Sequence, residues 1–172
     1  MQQLFLTGIH AANIASRLFT ALNVRPTGYR ITPFMVDGAV RGDALHLLVP
    51  PSPPLYNDVP FRIRIAAGDT AIVPRALDEA AAPSLLAALN VHTPMLLGGL
   101  SADMLACERF RTAVRQCLMS QRPVVVVADE DASDALRALT PPERQEWIAV
   151  PHEPDARSAM LEHLITEAAM RF

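Results

Sequence analysis

The chain has 172 residues, of which 51% are hydrophobic and 19% charged, a balance typical of a folded globular protein rather than a disordered segment. Its formal net charge of −3 gives no electrostatic basis for binding nucleic acid, which needs clustered positive charge. No apolar run approaches the roughly 20 residues that span a bilayer, and the first three residues carry no positive charge typical of a signal peptide. We therefore expect one cytoplasmic domain over residues 1–172, with no membrane or nucleic-acid partner.

The first quarter of the chain predicts a strand, a helix and a hairpin. In chain order these are a strand over residues 4–6, a helix over residues 11–22 and two strands over residues 29–36 and 40–49. Asp37-Gly38 between the last two strands is a strong signal for a tight hairpin turn. Pro33 has no backbone donor, so it favours an edge position for the first strand of the hairpin.

A proline-rich stretch, PPSPPLYNDVP at residues 50–60, follows the hairpin. Its restricted backbone favours an extended surface connector, and a polyproline ligand for a partner domain is the alternative. After it, FRIRIAAGDTAIV alternates apolar and charged residues with the period of a half-exposed strand. We expect Arg62 and Arg64 on the outer face, in solvent or against an anion, and Phe61, Ile63 and Ile65 on the inner face.

Strands and helices alternate through the rest of the chain. They are a helix over residues 78–90 disrupted at Pro83, a strand over 94–100, a helix over 102–120, a strand over 123–128, a helix over 133–139, a strand over 147–150 and a helix over 155–170. This alternation predicts an α/β fold, a mostly parallel sheet flanked by helices on both faces, with the hairpin inserted after the first helix.

Cys107 and Cys117 fall on one predicted helix, ten residues apart. That separation is about 15 Å along a helix axis, too far for a disulfide. We interpret both as thiols that pack in the core.

The opening stretch FLTGIHAANIASRLFTAL has the strand, turn and helix layout of a phosphate-binding loop. In the pattern G-x-x-x-x-G-K-[ST], glycines let backbone amides approach phosphates, lysine neutralises their charge and the hydroxyl ligates magnesium. Counting from Gly8 places Asn13, Ile14 and Ala15 at the last three positions, and Ser16 lies one residue too late. The whole chain contains no lysine, since all 15 basic residues are arginine.

The candidate anion or nucleotide site is therefore this altered loop and the start of its helix. Its residues are Gly8, Ile9, His10, Ala11, Ala12, Asn13, Ile14, Ala15 and Ser16. His10 is the only side chain in the loop that can carry positive charge; it either contacts an anion or is an ordinary loop histidine. Asn13 is the mildest departure, because asparagine tolerates a left-handed backbone.

Acidic residues follow the most apolar strand, in VVVVADE at residues 124–130. Because ligands of open α/β sheets bind at the carboxyl ends of strands, Asp129, Glu130 or Asp131 could coordinate a cation. The alternative is that these acids cap the next helix. We find no zinc spacing among the histidines and no nucleophile-elbow serine, so no catalytic residue is assigned.

The order of elements resembles one family, the THEP-type nucleoside triphosphatases, which are P-loop proteins that hydrolyse nucleoside triphosphates with magnesium. The resemblance covers roughly residues 1–150. LFLTG is similar to the opening strand and first loop glycine of that family. GYRITPFMVDGAVRGDALHLL is similar to its Gly-aromatic strand and hairpin, and LLGGLSADMLACERFRTAVRQCLMSQRPVVVVA resembles its strand, Phe-containing helix and Ser-x-x-Pro turn into another strand.

Aligned on Phe110, the resemblance places Gly98 and Gly99 where the family carries an Asp-Glu pair. That pair would hold magnesium and help to activate the attacking water. The resemblance thus implies a P-loop-NTPase-like fold in which both the phosphate-binding motif (Walker A) and the magnesium-binding motif (Walker B) have degenerated.

Three hypotheses follow. The first is a scaffold that has lost hydrolysis and binds a protein partner or a small anion, with no cofactor expected. The second is a working nucleotide or phosphometabolite enzyme that uses Mg-nucleotide and replaces lysine by arginine, with Arg17, Arg62 and Arg64 as candidates. The third is an unrelated doubly wound domain; descent from a triphosphatase instead requires the first strand to neighbour the strands that end at Gly98 and Ala128. Whether the chain forms a homo-oligomer stays open.

Overall fold

The structure, a computed structural model, describes residues 3–48, 57–66 and 68–169. An eight-stranded sheet in the order β5-β4-β3-β2-β6-β7-β1-β8 organises this part of the chain. Its strands are β1 (Gln3–Thr7), β2 (Thr27–Val36), β3 (Ala39–Leu48), β4 (Asp58–Ala66), β5 (Asp69–Ile72), β6 (Met95–Leu100), β7 (Val124–Ala128) and β8 (Gln145–Ala149).

The sheet has a parallel half and an antiparallel half. The parallel half consists of β2, β6, β7, β1 and β8, which are parallel to one another. The antiparallel half is a meander from β2 to β5, so β2 belongs to both halves. The predicted α/β fold with an inserted hairpin is confirmed. The predicted end of the second hairpin strand at Val49, and residues 50–56 of the proline-rich stretch, lie outside the described residues.

Helices cover both faces of the sheet. They are α1 (Ala11–Ala21), α2 (Ala82–Ala88), α3 (Ala102–Leu105), α4 (Glu108–Met119), α5 (Ser133–Leu139) and α6 (Pro154–Ala168), with a π-helical turn at Ala76–Ala81 and 3-10 turns at Glu130–Ala132 and Pro142–Arg144. Helices α1 and α6 share one apolar cluster with the sheet, and the π-helical turn, α2, α3, α4 and α5 share the other. None of the helices in the described ranges is long and apolar enough to cross a membrane.

Strand β7 is buried on both faces, as its unbroken aliphatic run predicts. Because side chains alternate along a strand, Val124 and Val126 pack with α4, while Val125 and Val127 pack with α1. The first residue of β1 ties this centre together: the buried side chain of Gln3 donates to the Leu118 carbonyl at 3.1 Å and accepts from the Val124 amide at 2.8 Å.

The hairpin turn forms at the predicted residues, since Asp37 and Gly38 have φ values of 49° and 76°. The predicted edge position of the first hairpin strand is wrong, because β2 lies between β3 and β6. However, β6 pairs only with residues 27–30 of β2. Pro33 lies beyond that pairing, where only β3 accompanies the strand, so its missing donor is tolerated there.

The predicted alternation in β4 is wrong beyond its first position. Phe61 is fully buried, but Ile63 and Ile65 are 36% and 66% exposed. These two side chains lie where β4 extends into the antiparallel meander, paired with β3 and β5. Arg62, in contrast, is drawn inward by carboxylates, as described below.

Two helix predictions need correction. The predicted helix over residues 102–120 is two helices, because the chain leaves helical geometry at Cys107, which has a ψ of 115°. Cys107 therefore lies in the bend between α3 and α4, and Cys117 lies on α4; both are buried and free, as expected. Burial raises the pKa of Cys117 to about 12, which keeps it an inert thiol. The predicted helix over residues 78–90 begins at Ala76 as a π-helical turn, and its α-helical part ends at Ala88.

Candidate functional site

The turn after β1 is short. Gly8 has a φ of 97°, and its carbonyl accepts from the Ala11 amide at 3.0 Å. Helix α1 begins at Ala11, and His10, the residue before it, makes no side-chain capping bond. The ring of His10 meets the ring of His152 edge-on, with centroids 6.1 Å apart. The chain therefore passes from strand to helix without the wide loop that wraps a phosphate chain.

Because α1 begins at Ala11, residues 12–15 of the candidate loop lie on the helix. Ala12 and Asn13 belong to its first turn and are exposed, so Asn13 is helical and does not use the left-handed backbone that its residue type allows. Ile14 and Ala15 are fully buried in the cluster between α1 and the sheet. The position expected for a phosphate-binding lysine is thus a core position in this protein.

Gly98 and Gly99 lie at the carboxyl end of β6, against β2. A Cβ atom on Gly98 would stand 2.7 Å from the Tyr29 carbonyl oxygen and 2.8 Å from the Arg30 Cα. Gly99 has a φ of 122°, and its carbonyl accepts from the Tyr29 hydroxyl at 3.0 Å. Burial raises the pKa of Tyr29, so this phenol stays protonated and remains a donor. The backbone of β2 therefore occupies the space into which a side chain at position 98 would project, and the side chain of Ile31 occupies the space beside Gly99.

Strand β1 pairs with β7 and β8, and β7 separates it from β6. The expected neighbour ending at Ala128 is thus correct, whereas direct contact with the strand ending at Gly98 is wrong. Two strand spacings, about 10 Å, lie between the axes of β1 and β6. The Gly8 turn and the two glycines still share the carboxyl edge of the parallel strands, where ligands of such sheets bind.

The acids after β7 do not cap the helix that follows them. Neither the 3-10 turn beginning at Glu130 nor α5 has a side-chain capping bond. Instead, a carboxylate oxygen of Asp131 accepts from the Ala102 amide at 3.3 Å, at the start of α3. In the described ranges no group of three or more histidine, cysteine or acidic side chains is arranged to hold a metal. Metal binding at Asp129 or Glu130 stays a prediction.

Arg62 is the residue at this edge whose contacts the sequence pattern missed. Its guanidinium donates to Asp43 at 3.0 Å, to the Ser101 hydroxyl at 2.8 Å and to Asp103 at 3.3 Å. Ser101 also bonds to Asp103. The anion that Arg62 meets is therefore supplied by the protein itself. Residues from β3, β4 and α3 converge here, which no local spacing could have indicated.

The carboxyl of Asp129 has a pKa raised above its usual value, first because it is partly buried and then because Asp131, Asp103 and Asp43 lie nearby. Arg62 acts in the opposite direction but does not cancel these effects. A raised pKa means that the folded protein favours the protonated form. Ionised Asp129 therefore costs stability above its folded pKa, and the cost vanishes as the pH falls towards the ordinary value of 3.8.

We expect Asp129→Asn to raise the melting temperature at pH 7 by roughly 1 to 3 °C, after allowance for solvent screening. The gain should shrink as the pH is lowered towards about 4, because the wild-type carboxyl then becomes neutral. Calorimetric scans of both proteins across this range, at low and high salt, measure the effect. A gain that grows at low pH would contradict the assignment.

The arginines proposed to replace lysine are not at the turn. Arg62 and Arg64 lie on β4, five strand spacings from β1, or roughly 24 Å in the plane of the sheet. Arg17 is exposed on α1, about 9 Å along its axis from the start at Ala11. The structure thus brings Gly8–Ser16 together as one turn and helix start, without a cation from these three residues beside it.

A large cavity flanks α1, and the motif analysis gave no sign of it. It measures about 1030 Å³ and lies between α1 and the sheet strands β2, β6 and β7; we name it the α1 cavity. Its α1 side is formed by Ala12, Asn13, Ala15, Ser16, Phe19 and Thr20. On the sheet side, the lining includes Arg30, Leu48, Leu96, Gly98 and Val127. Four residues of the candidate loop, Ala12, Asn13, Ala15 and Ser16, therefore line this largely apolar space.

Comparison with solved structures agrees with this architecture. The crystal structure of THEP1 from the hyperthermophile Aquifex aeolicus superposes with a TM-score of 0.71 and 15% identity, covering 97% of this chain and 98% of that one. The solution structure of a human cancer-related nucleoside triphosphatase gives a TM-score of 0.74 at 15% identity and covers both chains fully. No protein-family model matches the chain, and no curated protein matches it in sequence. The chain thus has the fold of the THEP-type nucleoside triphosphatases.

Proposed function

We propose that this protein is a nucleoside-triphosphatase-like scaffold that does not hydrolyse triphosphates and acts by binding a small anionic ligand. A protein partner was the other kind of binding that the sequence allowed. The α1 cavity favours the small ligand, since it is a concave, largely apolar space beside the carboxyl edge of the parallel strands.

The observation that carries the proposal is the complete burial of Ile14 in the cluster between α1 and the sheet. A triphosphate needs a cation at this position of the loop, the lysine of the phosphate-binding pattern, because its β and γ phosphates carry most of its charge. Here the side chain points into hydrocarbon.

The magnesium half of the reaction is equally unsupported. Catalysis of phosphoryl transfer depends on electrostatic stabilisation by metal ions and cations. Gly98 and Gly99 have no oxygen side chain; the backbone of β2 occupies the space beside Gly98, and the Ile31 side chain occupies the space beside Gly99. Arg62, the cation of the carboxylate cluster, is already bound to Asp43 and Asp103.

Titration calorimetry with ATP, GTP and their monophosphates, with and without magnesium, tests the proposal. We expect no magnesium-dependent binding in the micromolar range and no phosphate release above the protein-free rate. Micromolar magnesium-dependent binding together with phosphate release would instead support the working enzyme. A nucleotide that binds equally well without magnesium would agree with the proposal, since it would not need the missing metal site.

A further inference from the structure

We propose that the α1 cavity binds an amphiphilic anion, an unbranched hydrocarbon chain that ends in a carboxylate or a phosphate. This inference rests on the proposed function, because it gives a chemical class to the ligand that the non-hydrolysing scaffold holds. It concerns the side of α1 and the adjacent sheet face, not the turn at Gly8.

The floor of the cavity is an aliphatic strip of the sheet. Leu48 and Leu96 both lie opposite Gly28 in the strand register, so they form one level of the floor. Two residues further along, Gly98 pairs with both Arg30 and Val127 and forms the next level, about 7 Å away. Because Gly98 has no side chain, the strip stays open between Arg30 and Val127.

The wall opposite the floor is α1, and the cavity follows it. Lining residues extend from Ala12 in the first turn to Asn23 just past the end of the helix. These positions are about 17 Å apart along a helical path. Phe19 contributes the aromatic surface of this wall. A space that follows a helix for this distance suits a long thin ligand better than a compact one.

Threonine hydroxyls in the lining are already engaged with the protein. Thr20 donates to the Ser16 carbonyl at 2.9 Å, and Thr93 donates to the Thr27 hydroxyl at 3.4 Å. Thr27 in turn bonds to the Pro94 carbonyl at 3.5 Å. These hydroxyls already use their protons. A sugar or a nucleobase placed beside them would lose hydrogen bonds to water without gaining a donor, whereas a hydrocarbon loses none.

In the part of the lining that the structure describes, charge is entirely positive. Arg25 and Arg30 line the cavity there, without an aspartate or a glutamate. Among the described residues, neither arginine makes an ion pair or a side-chain hydrogen bond. His46 lies opposite Arg30 in the register, and its Nδ1 atom lies 2.7 Å from a carboxylate oxygen of Asp58. The carboxylate in this row of the sheet therefore already has a partner.

Arg30 is the residue that we assign to the anionic head. Its strand is paired on both sides at this point, with β3 and with β6, so its backbone is fixed. The amide side chain of Asn13 and the hydroxyl of Ser16 line the same end of the cavity, near the start of α1. Arg25 follows the end of α1, outside any strand, and we expect it to lie near the tail of the ligand.

Calorimetric titration with decanoate, dodecanoate, decyl phosphate and neutral decanol, each below its micelle concentration, tests the proposal. We expect dodecanoate to bind about fifteenfold more tightly than decanoate, the increment that two buried methylenes give. Decanol should bind more weakly than either anion of the same length. The comparison of decanoate with decyl phosphate distinguishes the two head groups.

Two arginine variants form a matched pair for the head group. Arg30→Met keeps the alkyl stem and should weaken decanoate binding about tenfold while leaving decanol unchanged. Arg25→Met should change both affinities little. As a second variant, Ser16→Phe places a ring inside the cavity from the exposed side of α1 and should abolish binding of all four compounds without lowering the melting temperature by more than a few degrees.

Equal affinity for decanol and decanoate would overturn the proposal, as would unchanged binding in Ser16→Phe. A larger loss in Arg25→Met than in Arg30→Met would overturn the assignment of the head. These outcomes are separable from those of the nucleotide titration: phosphate release from Mg-ATP would contradict the proposed function, and absence of acyl binding without such release would contradict this inference alone.

Discussion

Replacing Ile14 by lysine, which restores the cation of a phosphate-binding loop, is expected to destabilise the protein rather than to create a nucleotide site. The side chain is fully buried among Leu6, Leu18 and Val127. An uncompensated charge in such a cluster costs about 3 to 5 kcal/mol, a large part of the stability of a typical domain. Urea unfolding, followed by circular dichroism, measures the loss.

Two control variants isolate the effect of burial. Ile14→Val removes one methylene at the same position and should cost about 0.5 to 1.5 kcal/mol. Asn13→Lys places the same charge one residue earlier, on the exposed side of α1, and should change stability by about 0.5 kcal/mol at most. If Ile14→Lys were as stable as Asn13→Lys, α1 would have to be rotated relative to the packing described above.

Gly98→Asp, which restores an acid at the magnesium half of the site, should also be strongly destabilising. The new Cβ would stand 2.7 Å from the Tyr29 carbonyl oxygen, a contact that only a backbone shift can relieve. Overpacking of this kind, with a carboxylate added beside a paired strand, costs about 3 kcal/mol or more. The same urea experiment measures it.

Gly38→Asp is the matched control for that substitution. Gly38 has a φ of 76°, so the change is strained, but nothing lies within 4 Å of the new Cβ. Strain alone should cost about 1 kcal/mol or somewhat more. A loss at Gly98 no larger than the loss at Gly38 would show that β2 and β6 do not approach as closely as their register indicates.

Together Ile14→Lys and Gly98→Asp test whether a single substitution could reverse the proposed loss of hydrolysis. In an active loop, the lysine and the acids are functional residues that the core does not need. In this protein Ile14 and Gly98 are part of the packing of α1 and β2. Restoring either residue type would therefore need compensating changes nearby, and the proposed loss of hydrolysis would not be reversed by single substitutions.

The order of elements was predictable because it depends on local signals. The aliphatic run of β7, the Asp37-Gly38 turn and the apolar spacing of α1 each act over a few residues, and each formed as expected. From these the alternation of strands and helices gave the α/β class directly. That the loop carries an altered phosphate-binding motif stays a prediction, since it depends only on counting from Gly8.

The features that the sequence did not predict depend on contacts between distant segments. The break at Cys107 is stabilised from the π-helical turn, where Asp78 accepts from the Phe110 amide at 2.9 Å at the start of α4. The inward turn of Arg62 depends on Asp43 and Asp103, each on another element. The α1 cavity arises from where α1 lies over the sheet. No spacing within one segment carries that information.

Strand β1 precedes every other element, yet all its pairing partners come late in the chain. Leu4 pairs with Val125 and with Glu146, and Gln3 bonds across 115 and 121 residues. A segment made early on the ribosome must therefore wait, with its apolar side chains uncovered, until β7 and β8 have been synthesised. Loop closure of this length slows assembly, so we expect the insertion of the first strand into the centre of the sheet to be a late step of folding.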